Sequence, residues 1–213
     1  MTILKPDNMK RLSLAIIFAC CTLALAAQEA IRVNYQGAKP TISDFAWAFL
    51  SNAVIEDEDG MFDESTNAVK QAWIQHRKGL PQSEDMTLTI DQKNGYAVLE
   101  SRQGEHLGRW EMCYWNEADG KHKLFAYNVA WFQNGKYSPG QYDGIIFYRY
   151  NNATKIMTPC DDTGVDIVYR SEDNVLGSYA LPRVGKDIIV TLWYDNGKTK
   201  KKTLKWNGRR FSL

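Results

Sequence analysis

Apolar and polar positions follow two different rhythms along this chain, and the change comes near Met86. Ile42, Phe45, Ala46, Phe49, Leu50 and Ala53 recur every three or four residues, one stripe of a helix that Ser43 or Asp44 is placed to cap. A second helix is predicted over 65–78, with Val69, Ala72, Trp73 and His76 on one face, Asp63 available as its cap and Gly79 as its stop. From Met86 onward short runs of β-branched and aromatic residues alternate with turn signals such as Asn94-Gly95, Asp119-Gly120, Asn134-Gly135, Asn196-Gly197 and Asn207-Gly208. The strands predicted from them cover 87–90, 96–102, 108–115, 123–132, 145–150, 165–169, 188–194, 201–205 and 209–212.

This texture predicts an α+β domain, mainly antiparallel β, a sandwich or barrel built of consecutive hairpins with two N-terminal helices. One run sharpens the picture. Phe125, Tyr127, Val129 and Trp131 lie on one side of their strand, and Leu124, Ala126, Ala130 and Phe132 on the other. A strand apolar on both faces is expected to be covered on both. No internal repeat or linker divides the chain, so a single globular domain is expected over 28–213.

The first residues read differently. Lys10 and Arg11 lead into an apolar run from Leu12 to Ala19, and the segment closes on Ala24, Leu25, Ala26 and Ala27. A charged start, an apolar middle and a small-residue end are the parts of a secretory signal peptide, expected over 1–27 with Met9 as the start and cleavage before Ala27 or Gln28. The run is too short to span a membrane, and no later stretch reaches the ~20 apolar residues that a spanning helix needs. Ile17-Phe18-Ala19-Cys20 offers a rival, acylation of Cys20 as a lipid anchor, but Phe18 is bulky for that processing. The expected location is periplasmic or extracellular.

Removing that segment takes away Lys5, Lys10, Arg11 and Asp7, so 26 basic and 25 acidic residues become 23 and 24, a net charge of −1. A general pull toward nucleic acid, which needs a basic domain face, is thereby excluded. Cys113 and Cys160 remain, and in an oxidising compartment they can pair, for about 4 kcal/mol of loop-closure stabilisation, or stay as buried thiols.

Candidate chemistry is sparse. Glu56, Asp57, Glu58, Asp59, Asp63 and Glu64 are hard oxygen ligands of the kind calcium takes, with Asp57, Asp59 and Asp63 the candidate set. Aligning Gly60 with the EF-hand glycine puts Ile55 and Thr66 at the first and last ligand positions, so an acidic turn between helices is the simpler account. Asp161, Asp162 and Asp166 around Gly164 read the same way. His76, His106 and His122 lack ligand spacing, no Gly-x-Ser-x-Gly turn exists, and Cys113 lies mid-strand. Glu100 and Glu111 on neighbouring strands are one carboxylate pair that a hydrolase could use. No cofactor is called for.

The seven tryptophans lean toward recognition, because flat rings on a β surface stack on sugar faces. Trp115, Trp131, Trp193 and Tyr148 are the candidate ligand-binding residues, with Asn116, Gln133 and Asp195 as hydrogen-bonding neighbours, although rings also fill β cores. Lys198, Lys200, Lys201, Lys202 and Lys205, then Arg209 and Arg210, suit a solvent-facing edge strand that resists pairing. Phe147-Tyr148-Arg149-Tyr150, Tyr179-Ala180-Leu181-Pro182-Arg183 and the closing Leu204-Lys205-Trp206-Asn207-Gly208-Arg209-Arg210-Phe211 resemble the uncharacterised exported proteins of Bacteroides-type gut bacteria. That resemblance spans residues 145–213 and implies export, with no catalytic residues to carry over. The expected function is non-catalytic binding of a glycan or an envelope protein; the alternative is a secreted hydrolase with a carboxylate-based site.

Overall fold

The computed structural model describes residues 30–52, 61–139, 143–169 and 175–213, with the side chains of 61–66 and 169 outside that description. The signal segment, Cys20, Asp57 and Asp59 lie outside the described residues.

The chain is α+β and mainly antiparallel, as the rhythm of its sequence predicts. Strands β1 (Ile31–Arg32), β2 (Met86–Asp91), β3 (Tyr96–Gln103), β4 (His106–Asn116), β5 (His122–Gln133), β6 (Lys136–Tyr137), β7 (Gly144–Asn151) and β8 (Ile156–Pro159) form a curled half-barrel sheet. Its order is β1-β8-β7-β5-β4-β3-β2, with β6 folded back on β5. Strands β9 (Val175–Ala180), β10 (Ile188–Tyr194), β11 (Thr199–Trp206) and β12 (Phe211–Ser212) form a second sheet. Helices α1 (Ile42–Asn52) and α2 (Met61–Arg77) pack on one face of the large sheet's strands.

Three layers follow from the two-faced strand. Period-2 alternation sends Phe125, Tyr127 and Val129 of β5 toward the helices and Leu124 and Ala126 toward the second sheet, and every residue from Lys123 to Ala130 is buried. Phe45 and Phe49, one helical turn apart on α1, dock on the first side. Phe45 meets Tyr114, Phe125 and Tyr150 at ring distances of 5.1, 5.9 and 5.0 Å, and Phe49 meets Tyr127 at 4.7 Å. Each such ring, fully withdrawn from water, stabilises by about 1.5–3 kcal/mol. On the other side Ile188, Val190, Leu192 and Leu204 of the small sheet close over Cys113, Trp115 and Phe147.

Between the sheets one carboxylate ties the layers together. Glu111, 1% exposed, accepts from Tyr96 Oη at 2.7 Å, Asn128 Nδ2 at 3.1 Å and the Leu181 backbone N–H at 3.2 Å, with Arg109 Nη2 at 3.3 Å. Asn128 also donates to the Tyr179 carbonyl at 3.0 Å. The end of β9 thus finds its hydrogen bonds on the large sheet. Elsewhere edges are blunted: the Gln82 amide pairs with both backbone groups of Leu88 on edge strand β2, and exposed lysines line β11 where β12 no longer covers it.

Several expected boundaries move. Residues 165–169, predicted as a strand, form a 3-10 helix, Val165–Tyr169. Val-Asp-Ile-Val mimics β alternation, but Gly164 starts the segment at φ +78° and a Cβ there would come within 2.5 Å of the Phe211 carbonyl, so the chain turns instead of extending. Helix α2 begins at Met61, which puts Asp63 inside its first turn. Thr41, not Ser43 or Asp44, caps α1: its carbonyl takes the Phe45 N–H at 3.2 Å, and Asp44 Oδ2 reaches back to the Thr41 N–H and hydroxyl at 2.7 Å each. Strands β1, β6, β8 and β9 have no counterpart in the sequence reading. Cys113 and Cys160, which the sequence allowed to pair, are buried free thiols.

Candidate ligand-binding cleft

The capping box that starts α1 also fixes one wall of a cleft. Asp44 spends Oδ2 on Thr41, the Ser43 hydroxyl takes a hydrogen bond from the Gln92 amide, and Trp47 follows one turn later on the same side. The opposite wall is the last turn of α2, where His76 and Arg77 are exposed. Buried Trp73, half-buried Ile90 and exposed Asn34, which follows β1, complete the lining. The space enclosed is about 340 Å³, within the range of small-molecule sites.

Two local features describe this cleft. The Arg77 guanidinium carbon lies 4.6 Å from the centre of the Trp47 ring, a cation–π contact at the surface. Trp73 is 1% exposed, yet its Nε1–H has no acceptor among the described residues. Trp206 Nε1, packed against the other core, is in the same state, so the unanswered donor does not by itself mark the cleft.

Of the residues the sequence offered as sugar-stacking rings, Trp115 is 4% exposed, donates Nε1–H to the Lys186 carbonyl at 2.8 Å and lies among Phe147, Trp206 and Phe211. No face of it is left for a sugar. Trp131 stands edge-on to Trp110 at 5.1 Å and Tyr148 edge-on to Phe49 at 5.6 Å, both half-buried against the helix-side core. Trp193 donates to Ser178 Oγ at 2.9 Å and stacks near Tyr137 at 6.0 Å. The four rings are therefore spread over two cores and a sheet end. The sequence held one missed signal: Trp47 falls off the apolar stripe of α1, and a large ring on the polar side of an amphipathic helix is an oddity that packing alone does not require.

The other candidate groups are committed to one another. Arg109 lies between Glu100 and Glu111, at 3.7 and 3.3 Å, so the carboxylate pair is bridged by a cation. Burial raises the Glu111 carboxyl above the ordinary range, with Arg109 pulling it the other way. His122, despite its lack of ligand spacing in the sequence, joins Glu117 and Asp119 with ligand atoms all within 4.8 Å. Glu117 already holds Arg149 Nε at 2.7 Å and Arg209 Nη1 at 3.2 Å, while His122 Nδ1 and Asp119 Oδ2 lie 2.6 Å apart. Two guanidiniums against the buried carboxylate oppose a cation there. Asp162 faces Arg210 at 3.7 Å.

No protein-family model matches the chain, and neither a curated protein nor a solved structure matches it. Among the described residues no helix is long and apolar enough to cross a membrane.

Proposed function

We propose that this is an exported, non-catalytic binding protein whose ligand, a small saccharide, seats in the cleft between Trp47 and Trp73. Trp47 carries the reading. It is a half-buried indole off the core stripe, kept at the mouth of a cleft of about 340 Å³, with hydrogen-bonding groups of Asn34, Ser43 and Asp44 around it. An aromatic face flanked by amide, hydroxyl and carboxylate groups answers the two sides of a sugar, apolar C–H face and polar rim. The N-terminal pattern supports action outside the cytoplasm. The hydrolase alternative draws its support from Glu100 and Glu111, and the Arg109 bridge weakens that support.

Titration of the purified chain with an oligosaccharide panel, followed by tryptophan emission, tests this. Trp47→Ala is expected to weaken binding about tenfold or more, the loss of one central aromatic anchor, with an unchanged far-UV spectrum. Binding that survives Trp47→Ala intact, or turnover of the bound sugar seen by mass spectrometry, refutes the proposal.

A further inference from the structure

Resting on the cleft reading above, we infer that the saccharide is acidic and that Arg77 reads its carboxylate. Arg102, Arg109, Arg149, Arg183, Arg209 and Arg210 each face a carboxylate within 4.0 Å, from 2.7 Å at Arg149 to 3.7 Å at Arg210. Arg77 and Arg32, the latter exposed on β1, are not among them. Among the described residues the Arg77 guanidinium contacts the Trp47 ring instead, at 4.6 Å. A guanidinium over an aromatic face spends its cationic surface on the π cloud and keeps its in-plane N–H fork for another partner, and that fork matches a carboxylate in two-point geometry. The last turn of a helix favours a cation, which accounts for an arginine at this position but not for its seat on Trp47.

The charge balance inside the cleft points the same way. Asp44 is the carboxylate among the lining residues, and its Oδ2 is held by the Thr41 N–H and hydroxyl at the start of α1, where a helix N-terminus already answers negative charge. His76 stands beside Arg77 on the other wall. Asp44 is thus tied to the start of α1, and Arg77 is the cation of the lining that no carboxylate is shown to hold. Arg77 and Trp47 line the cleft together with half-buried Ile90, whose side chain offers an apolar contact. An acidic sugar seated in the cleft sets its carboxylate on the guanidinium, whereas a neutral sugar leaves the fork to water.

Calorimetric titration of the full chain with glucuronate- and galacturonate-containing oligosaccharides, each also as its methyl ester, and with sialyllactose against lactose, isolates the charge. At least one acid is expected to bind about tenfold tighter than its neutral counterpart, the discrimination of a charge-assisted hydrogen bond. Arg77→Gln should erase that difference, Arg77→Lys should retain part of it, and raising the salt should weaken the acid more than the ester. Unfolding midpoints of both variants are measured first, so that loss of binding is not loss of fold. Esters that bind as tightly as acids, or discrimination that survives Arg77→Gln, overturn the inference and leave the cleft reading standing. If no probe binds in either form, both fall.

Discussion

Replacing Glu111 with alanine is the most demanding test of how the layers are joined. The substitution leaves Tyr96 Oη, Asn128 Nδ2 and the Leu181 N–H without their acceptor, and leaves Arg109 with Glu100 at 3.7 Å as its remaining carboxylate. One buried donor without a partner costs about 1–3 kcal/mol, but such terms do not add, because water entering the vacated space answers some of them. Removing one partner of a buried ion pair costs about 3–5 kcal/mol as a whole. Arg109 is 34% exposed, so solvent screens its charge and the lower end, about 3 kcal/mol, is expected. For a chain of this size that lowers the thermal midpoint by about 6–12 °C. Urea unfolding followed by tryptophan emission measures it, with Arg109→Met and the double variant completing a cycle that isolates the pair. A loss below about 1 kcal/mol with no coupling to Arg109 would refute the clamp.

Glu111→Gln adds a pH signature. The wild-type carboxyl has its pKa raised by burial, so the folded chain holds that proton more tightly than the unfolded one. Its contribution favours folding below the unfolded carboxylate value and is lost as pH rises through the folded one. The stability of wild type relative to Glu111→Gln should therefore grow as pH falls from neutral toward the ordinary carboxylate range. A difference that shrinks over that interval contradicts the account.

Two further outcomes follow from local geometry. A Cβ on Gly108 would come within 2.7 Å of ring atoms of both Trp110 and Trp131, so Gly108→Ala should cost about 1–3 kcal/mol in chemical unfolding, and a neutral result would mean the ring pair is not rigid. His122 and the backbone N–H groups of Lys121 and His122 pull the Asp119 carboxyl down to about 2, so its contribution is complete above the unfolded value of 3.8 and is lost as pH falls toward 2. Asp119→Asn should accordingly lower the neutral plateau and flatten the acid limb, the two stability profiles converging as pH falls toward 2, and an unchanged acid limb would remove Asp119 from the account.

Local periodicity made much of the fold legible. The two apolar faces of β5 called for cover on both sides, and helices and the second sheet supply it. The failures have local causes too. Val165 to Tyr169 carries a β-like pattern, but Gly164 pressed against Phe211 redirects the chain. Strand β8 is four residues long and ends on Pro159, and Gly177 interrupts β9, so neither shows a run long enough to count. Thr41 was passed over as a cap because Ser43 and Asp44 stand closer to the apolar stripe. Trp73 and His76 were placed on one helix face, but their meeting with Trp47 and Arg77 in one cleft was invisible.

The sequence by itself determined the type of most elements, strand alternation and the two-sided burial of the central strand. These are short-range properties: a side chain's direction repeats every two or 3.6 residues whatever the rest of the chain does. Which charges and rings meet was decided by the tertiary structure alone. Glu111 finds Asn128 at a separation of 17 and Leu181 at 70, and the guanidinium of Arg77 comes to rest on Trp47 of another helix. Such meetings depend on strand register and helix packing, where a shift of one residue turns a side chain to the opposite face, and no local pattern encodes that choice.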